Sequence, residues 1–158
     1  MTEQHAMHRY QAICNWKGST GAGYEVYDRS HRVTAPPAEH SLTMSSDPAF
    51  RGKAQLLNPE QLLVMAVASC QMLSFLAIAA RARIDVVEYE DKAEGLMPED
   101  DEPMRITRIT LKPRIVIRGE AREERIRQLV HTAHEHCYIA NSLKTEIKIQ
   151  PEIAFKAS

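Results

Sequence analysis

The stretch Asn58-Pro59-Glu60-Gln61-Leu62-Leu63-Val64-Met65-Ala66-Val67-Ala68-Ser69-Cys70-Gln71-Met72 decides how this chain folds. Asn58 is a favoured helix N-cap, Pro59 suits the first helical position, and Glu60 places an acid in the first turn, where the helix dipole favours negative charge. Apolar residues continue through Leu73, Phe75, Leu76 and Ile78, which predicts one helix running to about Arg83. Leu62–Ala80 spans 19 mostly apolar residues, close to the roughly 20 that cross a bilayer. Ser69, Cys70, Gln71 and Ser74 interrupt it near the middle, and no second segment of this kind follows. Polar groups are costly in lipid, so the expectation is no membrane span but a helix buried on nearly all sides by protein.

Before this helix, Tyr10–Trp16 alternates with Tyr10, Ala12, Cys14 and Trp16 on one face, and Tyr24–Val33 is again strand-like. The turn-forming run Lys17-Gly18-Ser19-Thr20-Gly21-Ala22-Gly23 joins them into a hairpin, and a third short strand is expected near His40–Met44. Beyond the helix, Ile84–Ala93 reads as a strand and Gly95–Pro103 as an exposed acidic loop. Ile109, Leu111, Ile115 and Ile117 mark one face of a long strand whose other face carries Arg108, Lys112, Arg114 and Arg118. Ile126, Leu129, Val130, Ala133 and Cys137 form one stripe of a second helix between Glu120 and Tyr138, and a closing strand runs through Ile147, Ile149, Ile153 and Phe155. The order predicts an α+β fold of antiparallel sheets packed on a long buried central helix and a second helix. Neither an internal repeat nor a dividing linker is visible, so residues 1–158 are expected to form a single domain.

Composition narrows the partners. With 44% hydrophobic and 26% charged residues the chain is globular in character, and 158 residues bury enough surface to fold without a metal or disulfide staple. The 20 Lys and Arg against 21 Asp and Glu leave a charge of −1, which argues against nucleic acid as a partner. Met1–Arg9 is polar, without the apolar core of an export signal, and three cysteines are too few for a secreted disulfide framework. A reducing, cytoplasmic setting is expected.

The three thiols divide into a core residue and a candidate pair. Cys14 lies on the apolar face of the first strand, whereas Cys70 and Cys137 each sit centrally on a separate helix pattern. Either can pack as a small hydrophobe. Should the two helices pack together, they become a redox pair. His131, His134 and Cys137, at successive spacings of three, are an alternative seed for a zinc or copper site, although no fourth ligand and no Cys-x-x-Cys pair accompanies them.

Asn58-Pro59-Glu60-Gln61-Leu62-Leu63 followed by Ala66-Val67-Ala68-Ser69-Cys70-Gln71-Met72 resembles the central-helix signature of the OsmC/Ohr family of thiol-dependent hydroperoxide reductases. Ala133-His134-Glu135-His136-Cys137-Tyr138-Ile139-Ala140-Asn141-Ser142 resembles the family's second-cysteine motif. Phe50-Arg51-Gly52 and Tyr89–Gly95 resemble one OsmC-like subgroup, so the likeness extends over nearly the whole chain. It implies an OsmC-like fold, with Cys70 as the peroxidatic cysteine, Cys137 as the resolving cysteine, and Glu60 as the acid beside an arginine for which Arg51 is the candidate. Gln71 stands where an aromatic residue or His is commoner, and Tyr138 where Ohr-type members have Pro.

The resemblance implies oxidative-stress defence by reduction of organic hydroperoxides to alcohols. A Cys70 sulfenic acid would be resolved by Cys137 as a disulfide, which a lipoyl-type or thioredoxin-type dithiol would then reduce. No metal or organic cofactor is required. Burial disfavours a thiolate, so a nearby cation such as Arg51, with its fork held by Glu60, is needed. An apolar pocket drawn from Met65, Met72, Phe50 and Phe75 would favour organic peroxides. Glu60 and Cys70 lie ten residues apart, or about 15 Å along one helix axis. Two copies of the helix crossing antiparallel near residue 65 would bring Glu60 of one chain beside Cys70 of the other. An intertwined homodimer is therefore expected, as the resemblance also implies. The alternative function is an OsmC-like scaffold that binds a small apolar ligand without peroxidase activity.

Overall fold

The computed structural model describes residues 6–157, so the first five residues of the polar N-terminal stretch lie outside the described residues. The described chain forms two compact units divided after Pro59. In the first, β1 (Ile13–Asn15), β2 (His31–Thr34) and β3 (Ser41–Met44) make an antiparallel sheet in that order. Cys14 pairs with Val33 and Arg32 with Thr43. The expected hairpin forms, but its second strand starts late because Tyr24–Ser30 wraps around a side chain instead of joining the ladder. The Arg29 guanidinium lies 4.6 Å from the Tyr24 ring centroid and 3.9 Å from that of Tyr27, and it donates to the carbonyls of both residues at 2.8 and 2.9 Å. This buries Arg29 with its donors satisfied, a combination of cation–π and hydrogen-bond contacts.

The loop leading to the long helix is closely specified. Asp47 caps a one-turn 3-10 helix, Pro48–Phe50, by accepting from the Ala49 N–H at 2.8 Å. Arg51 follows in the left-handed region at φ 63°, and the Gly52 N–H donates to the Asp47 carbonyl at 3.0 Å. A Cβ on Gly52 would lie 1.6 Å from the Ser46 carbonyl oxygen, so only glycine fits this turn.

α1 (Pro59–Arg81) opens the second unit. β4 (Asp85–Asp91), β5 (Glu94–Leu96), β6 (Arg108–Leu111), β7 (Pro113–Arg118), α2 (Glu123–Glu135), α3 (Tyr138–Asn141), β8 (Glu146–Ile149) and β9 (Glu152–Lys156) follow. α1 starts at Pro59 as its sequence predicts. It stops two residues before the expected end, with Arg83 in the left-handed region at φ 57° and the paired bonds Ile84 N–H to Ala79 and Arg83 N–H to Ala80 that typify a Schellman closure. Among the described residues it is the one helix long and apolar enough to cross a membrane.

Two three-stranded sheets complete the α+β fold, in the orders β4-β7-β9 and β5-β6-β8. The single long strand expected through Ile109–Ile117 is two strands in different sheets, because the chain changes sheet at Lys112. The closing strand likewise splits at Gln150-Pro151, since proline has no N–H for a ladder. Pairing is mixed and not wholly antiparallel: β8 runs parallel to β6 with Ile147 opposite Ile109, and β9 parallel to β7 with Ile153 opposite Ile115. Part of the acidic loop forms β5, and Gly95 fits there because a Cβ would lie 2.6 Å from Val64. One core gathers Phe75, Ala79, Ile115, Ile117, Ile126 and Leu129, and a second gathers Val67, Ile106, Ile109 and Leu111.

Candidate active site

Cys70 occupies the fourth turn of α1, half-buried, one position before a fully buried glutamine. The buried stripe of α1 is Val67, Gln71, Phe75 and Ala79, four residues apart, so Cys70 lies at its margin. Cys137 is not the last residue of the second helix, as its stripe suggests, but lies in the connection to α3. α2 ends at Glu135, the Cys137 N–H donates to the His134 carbonyl at 3.1 Å, and Cys137 has extended backbone. Its carbonyl accepts from both the N–H and the side-chain amide of Asn141, each at 3.0 Å, which fixes the turn.

The structure places these two thiols near enough for Cys70 to act on the protonation of Cys137. Burial, first, and the neighbouring Cys70 push the Cys137 thiol up to about 11, while N–H groups of Ala140 and Ile139 directed at its sulfur oppose the rise. Both cysteines are free thiols. A resolving cysteine requires this placement, because a disulfide closes only when the two sulfurs can meet without moving the backbone far.

The other expected site residues, Glu60 and Arg51, belong to the second and the first unit respectively. Glu60 stands half-buried in the first turn of α1. Arg51 is about half-exposed, and its guanidinium forms an ion pair with Glu25 inside the first unit. Of the expected pocket residues, Phe75 is wholly buried in the core and 6.0 Å from the Tyr89 ring, whereas Met65 is 52% exposed. Cys14 is exposed, contrary to its expected core position, because Ile13–Asn15 is solvent-facing throughout. His131 pairs with Glu135 at 3.5 Å on the open face of α2, and among the described residues no three His, Cys, Asp or Glu side chains gather as a metal site.

Two polar residues beside the thiols carry more of the local structure than their sequence positions suggest. The Gln71 Nε2 donates to the Val130 carbonyl at 3.1 Å, tying α1 to α2, while its Oε1 is buried without a partner. His134, one turn before Cys137, buries an Nδ1 atom that also has no partner. The sequence signal for Gln71 is its register: it falls four residues after Val67 on an otherwise apolar stripe.

Residues 52–152 match the family model described as OsmC-like protein. The chain belongs to the OsmC-like family. An OsmC-like protein of unknown function from Vibrio cholerae is 29% identical and superposes with a TM-score of 0.83 over 92% of this chain and 99% of that one. An organic hydroperoxide resistance protein, OsmC, from Legionella pneumophila shares the fold at 17% identity, with a TM-score of 0.67 over 95% of this chain and 99% of that chain. The Bacillus subtilis uncharacterised protein YmaD is 20% identical over 154 residues, 96% of this chain and 97% of YmaD. Structural neighbours that share this fold are described as organic hydroperoxide resistance proteins.

Proposed function

We propose that this OsmC-like chain is a cytoplasmic two-cysteine thiol peroxidase that reduces organic hydroperoxides to alcohols in oxidative-stress defence. The proximity of Cys70 to Cys137, close enough to raise the Cys137 thiol, carries the reading. Cys70, the less buried of the two, is the nucleophile. Its thiolate attacks the peroxide, the S–O bond forms as the O–O bond breaks, and the alkoxide leaves as the alcohol after taking a proton. Cys137 then displaces hydroxide from the Cys70 sulfenic acid and closes a disulfide, which protects the sulfur from irreversible oxidation. An external dithiol of the lipoyl or thioredoxin type returns both residues to thiols.

Arg51 supplies the cation that favours the Cys70 thiolate and Glu60 orients its fork, since a guanidinium stays charged when dry and pairs with a carboxylate in two-point fashion. The site is completed in an intertwined homodimer. Support comes from α1, where Met65 and Leu73 are 52% and 61% exposed on the face opposite the core. A second copy of the helix crossing antiparallel covers them and carries Glu60 the 15 Å or so that separate it from Cys70 on one helix.

The test is turnover of cumene hydroperoxide and hydrogen peroxide with a dithiol reductant. The wild type is expected to consume the organic peroxide faster. Cys70→Ser is expected to be inactive, and Cys137→Ser to stop after one turnover with Cys70 over-oxidised. Equal inertness of all three proteins replaces the peroxidase by the ligand-binding scaffold.

A further inference from the structure

We propose that the side-chain amides of Gln71 and Asn141 are positioning residues that hold the turn carrying Cys137 in the register a disulfide with Cys70 needs, and so set how readily that disulfide reopens. The inference rests on the two-cysteine reading above and adds no reacting group to it. Its basis is a chain of directional bonds running from one cysteine to the other. Gln71, the residue after Cys70, is 1% exposed, and its Nε2 donates to the Val130 carbonyl at 3.1 Å. Val130 stands seven residues before Cys137, about two turns along α2. At the end of α2 the Asn141 Nδ2 donates to the carbonyls of Glu135 and Cys137, each at 3.0 Å, and the Cys137 N–H donates to the His134 carbonyl at 3.1 Å. Cys137 is thus fastened to α2, and α2 is fastened to α1 beside Cys70.

The remaining contact between α1 and α2 is apolar, gathering Phe75 and Ala79 with Ile126, Leu129, Val130 and Ala133. Apolar packing is non-directional, so it buries a helix without fixing its slide or rotation. A disulfide needs both fixed, because its S–S bond of about 2.05 Å and its narrow torsion leave little room for a shifted partner. Gln71 is a costly residue for that core. Its Oε1 is buried without a partner, a penalty that an apolar side chain of similar size avoids. The Val130 carbonyl, for its part, keeps the helical N–H of His134 when Gln71 is replaced. The amide therefore contributes direction more than stability.

Direction bears on reopening as well as closure. Cys137 is 1% exposed and Cys70 half-buried, so an external thiolate meets the disulfide at Cys70. Its sulfur bonds to Cys70 as the S–S bond breaks, and Cys137 leaves as a thiolate and takes a proton. A Cys137 held in register attacks the mixed disulfide and expels a monothiol again, restoring the starting state. A dithiol escapes this reversal, since its second thiolate displaces the Cys70 thiolate and the reductant departs as a cyclic disulfide.

The experiment equilibrates the full-length protein with glutathione buffers, without peroxide, and reads the Cys70–Cys137 disulfide by thiol alkylation and mass spectrometry. In Gln71→Met the closure equilibrium should fall about tenfold, which raises the potential by about 30 mV, and in Asn141→Ala it should fall about threefold. Glutathione should reduce oxidised Gln71→Met about tenfold faster than oxidised wild type, while the dithiothreitol rate changes less than about threefold. A purely structural role would weaken oxidised and reduced protein alike and move neither the potential nor the glutathione rate. The control His131→Asn should match the wild type. Closure equilibria of both variants within about twofold of wild type overturn the proposal. If Gln71→Met fails to fold, Gln71→Leu replaces it, and if neither folds, Asn141→Ala decides. Hydroperoxide turnover by the wild type separates the two readings. Shifted equilibria without turnover reject the peroxidase and keep the positioning role, whereas turnover with unshifted equilibria does the reverse. A wild type that forms no disulfide in any buffer rejects both.

Discussion

Two stripes of α1 are equally spaced, yet they meet opposite surroundings. Val67, Gln71, Phe75 and Ala79 face the core and are essentially inaccessible, whereas Gln61, Met65, Ser69, Leu73 and Ala77 are exposed along the same 23-residue helix. The covered stripe contains an amide and the uncovered one contains Met and Leu. Hydrophobicity therefore does not say which face packs inside the chain. What distinguishes the faces is what meets them: the Val130 carbonyl receives Gln71, while Leu73 is left 61% exposed. An apolar stripe left in water on so long a helix is what an interface between two copies would consume.

The largest expected effect lies on the covered stripe. Phe75→Ala should cost about 3–5 kcal/mol by removing a fully enclosed ring, read as a fall in the denaturation midpoint. Next comes the open stripe. Leu73→Asp should convert a wild-type dimer to monomer in sedimentation at micromolar concentration. If the wild type is already monomeric, the same change should shift stability by less than about 0.5 kcal/mol, and the two stripes would then differ in function as well as exposure.

Much of this contrast is legible in the amino-acid sequence. Asn58-Pro59-Glu60 places the start of α1, and the two cysteine motifs single out the two neighbouring thiols, because capping and motif spacing are local properties. The breaks at Lys112 and Gln150-Pro151 are not legible from alternation, which continues in phase across them. Whether two in-phase segments share a sheet depends on partners far away in the chain. Arg29 escapes a sequence reading for a similar reason: Tyr24 and Tyr27 read as strand residues until their rings and carbonyls are seen to enclose a guanidinium. Gln71 can be found only by register, and His134 only by the loss of its solvent.

Smaller effects sharpen the comparison further. Cys137 binds its proton more tightly in the folded chain than an ordinary thiol, whose value is 9.0. Folded protein thus holds more protons than unfolded protein between pH 9 and about 11, and stability should fall as pH rises through that window. A loss on the order of 2 kcal/mol is expected, absent in Cys137→Ala, and measurable by denaturant titration at each pH. An exposed pair gives the baseline. Glu25→Gln removes the partner of Arg51 and should change stability by less than about 1 kcal/mol, while altering the peroxide rate if Arg51 serves Cys70.

The parallel ladders have a consequence for how the chain reaches this state. β6 with β8 and β7 with β9 join residues 38 positions apart, with α2 and α3 between them in sequence. Such distant pairings pay loop-closure entropy before any contact repays it, so folding is expected to be slow relative to a helical bundle of this size. A chain emerging from the ribosome can form α1 early, but it cannot complete either sheet until Glu146–Lys156 is available. Until then the strands β6 and β7 that line the covered stripe of α1 each lack their parallel partner, and that interval is when the nascent protein most needs a chaperone.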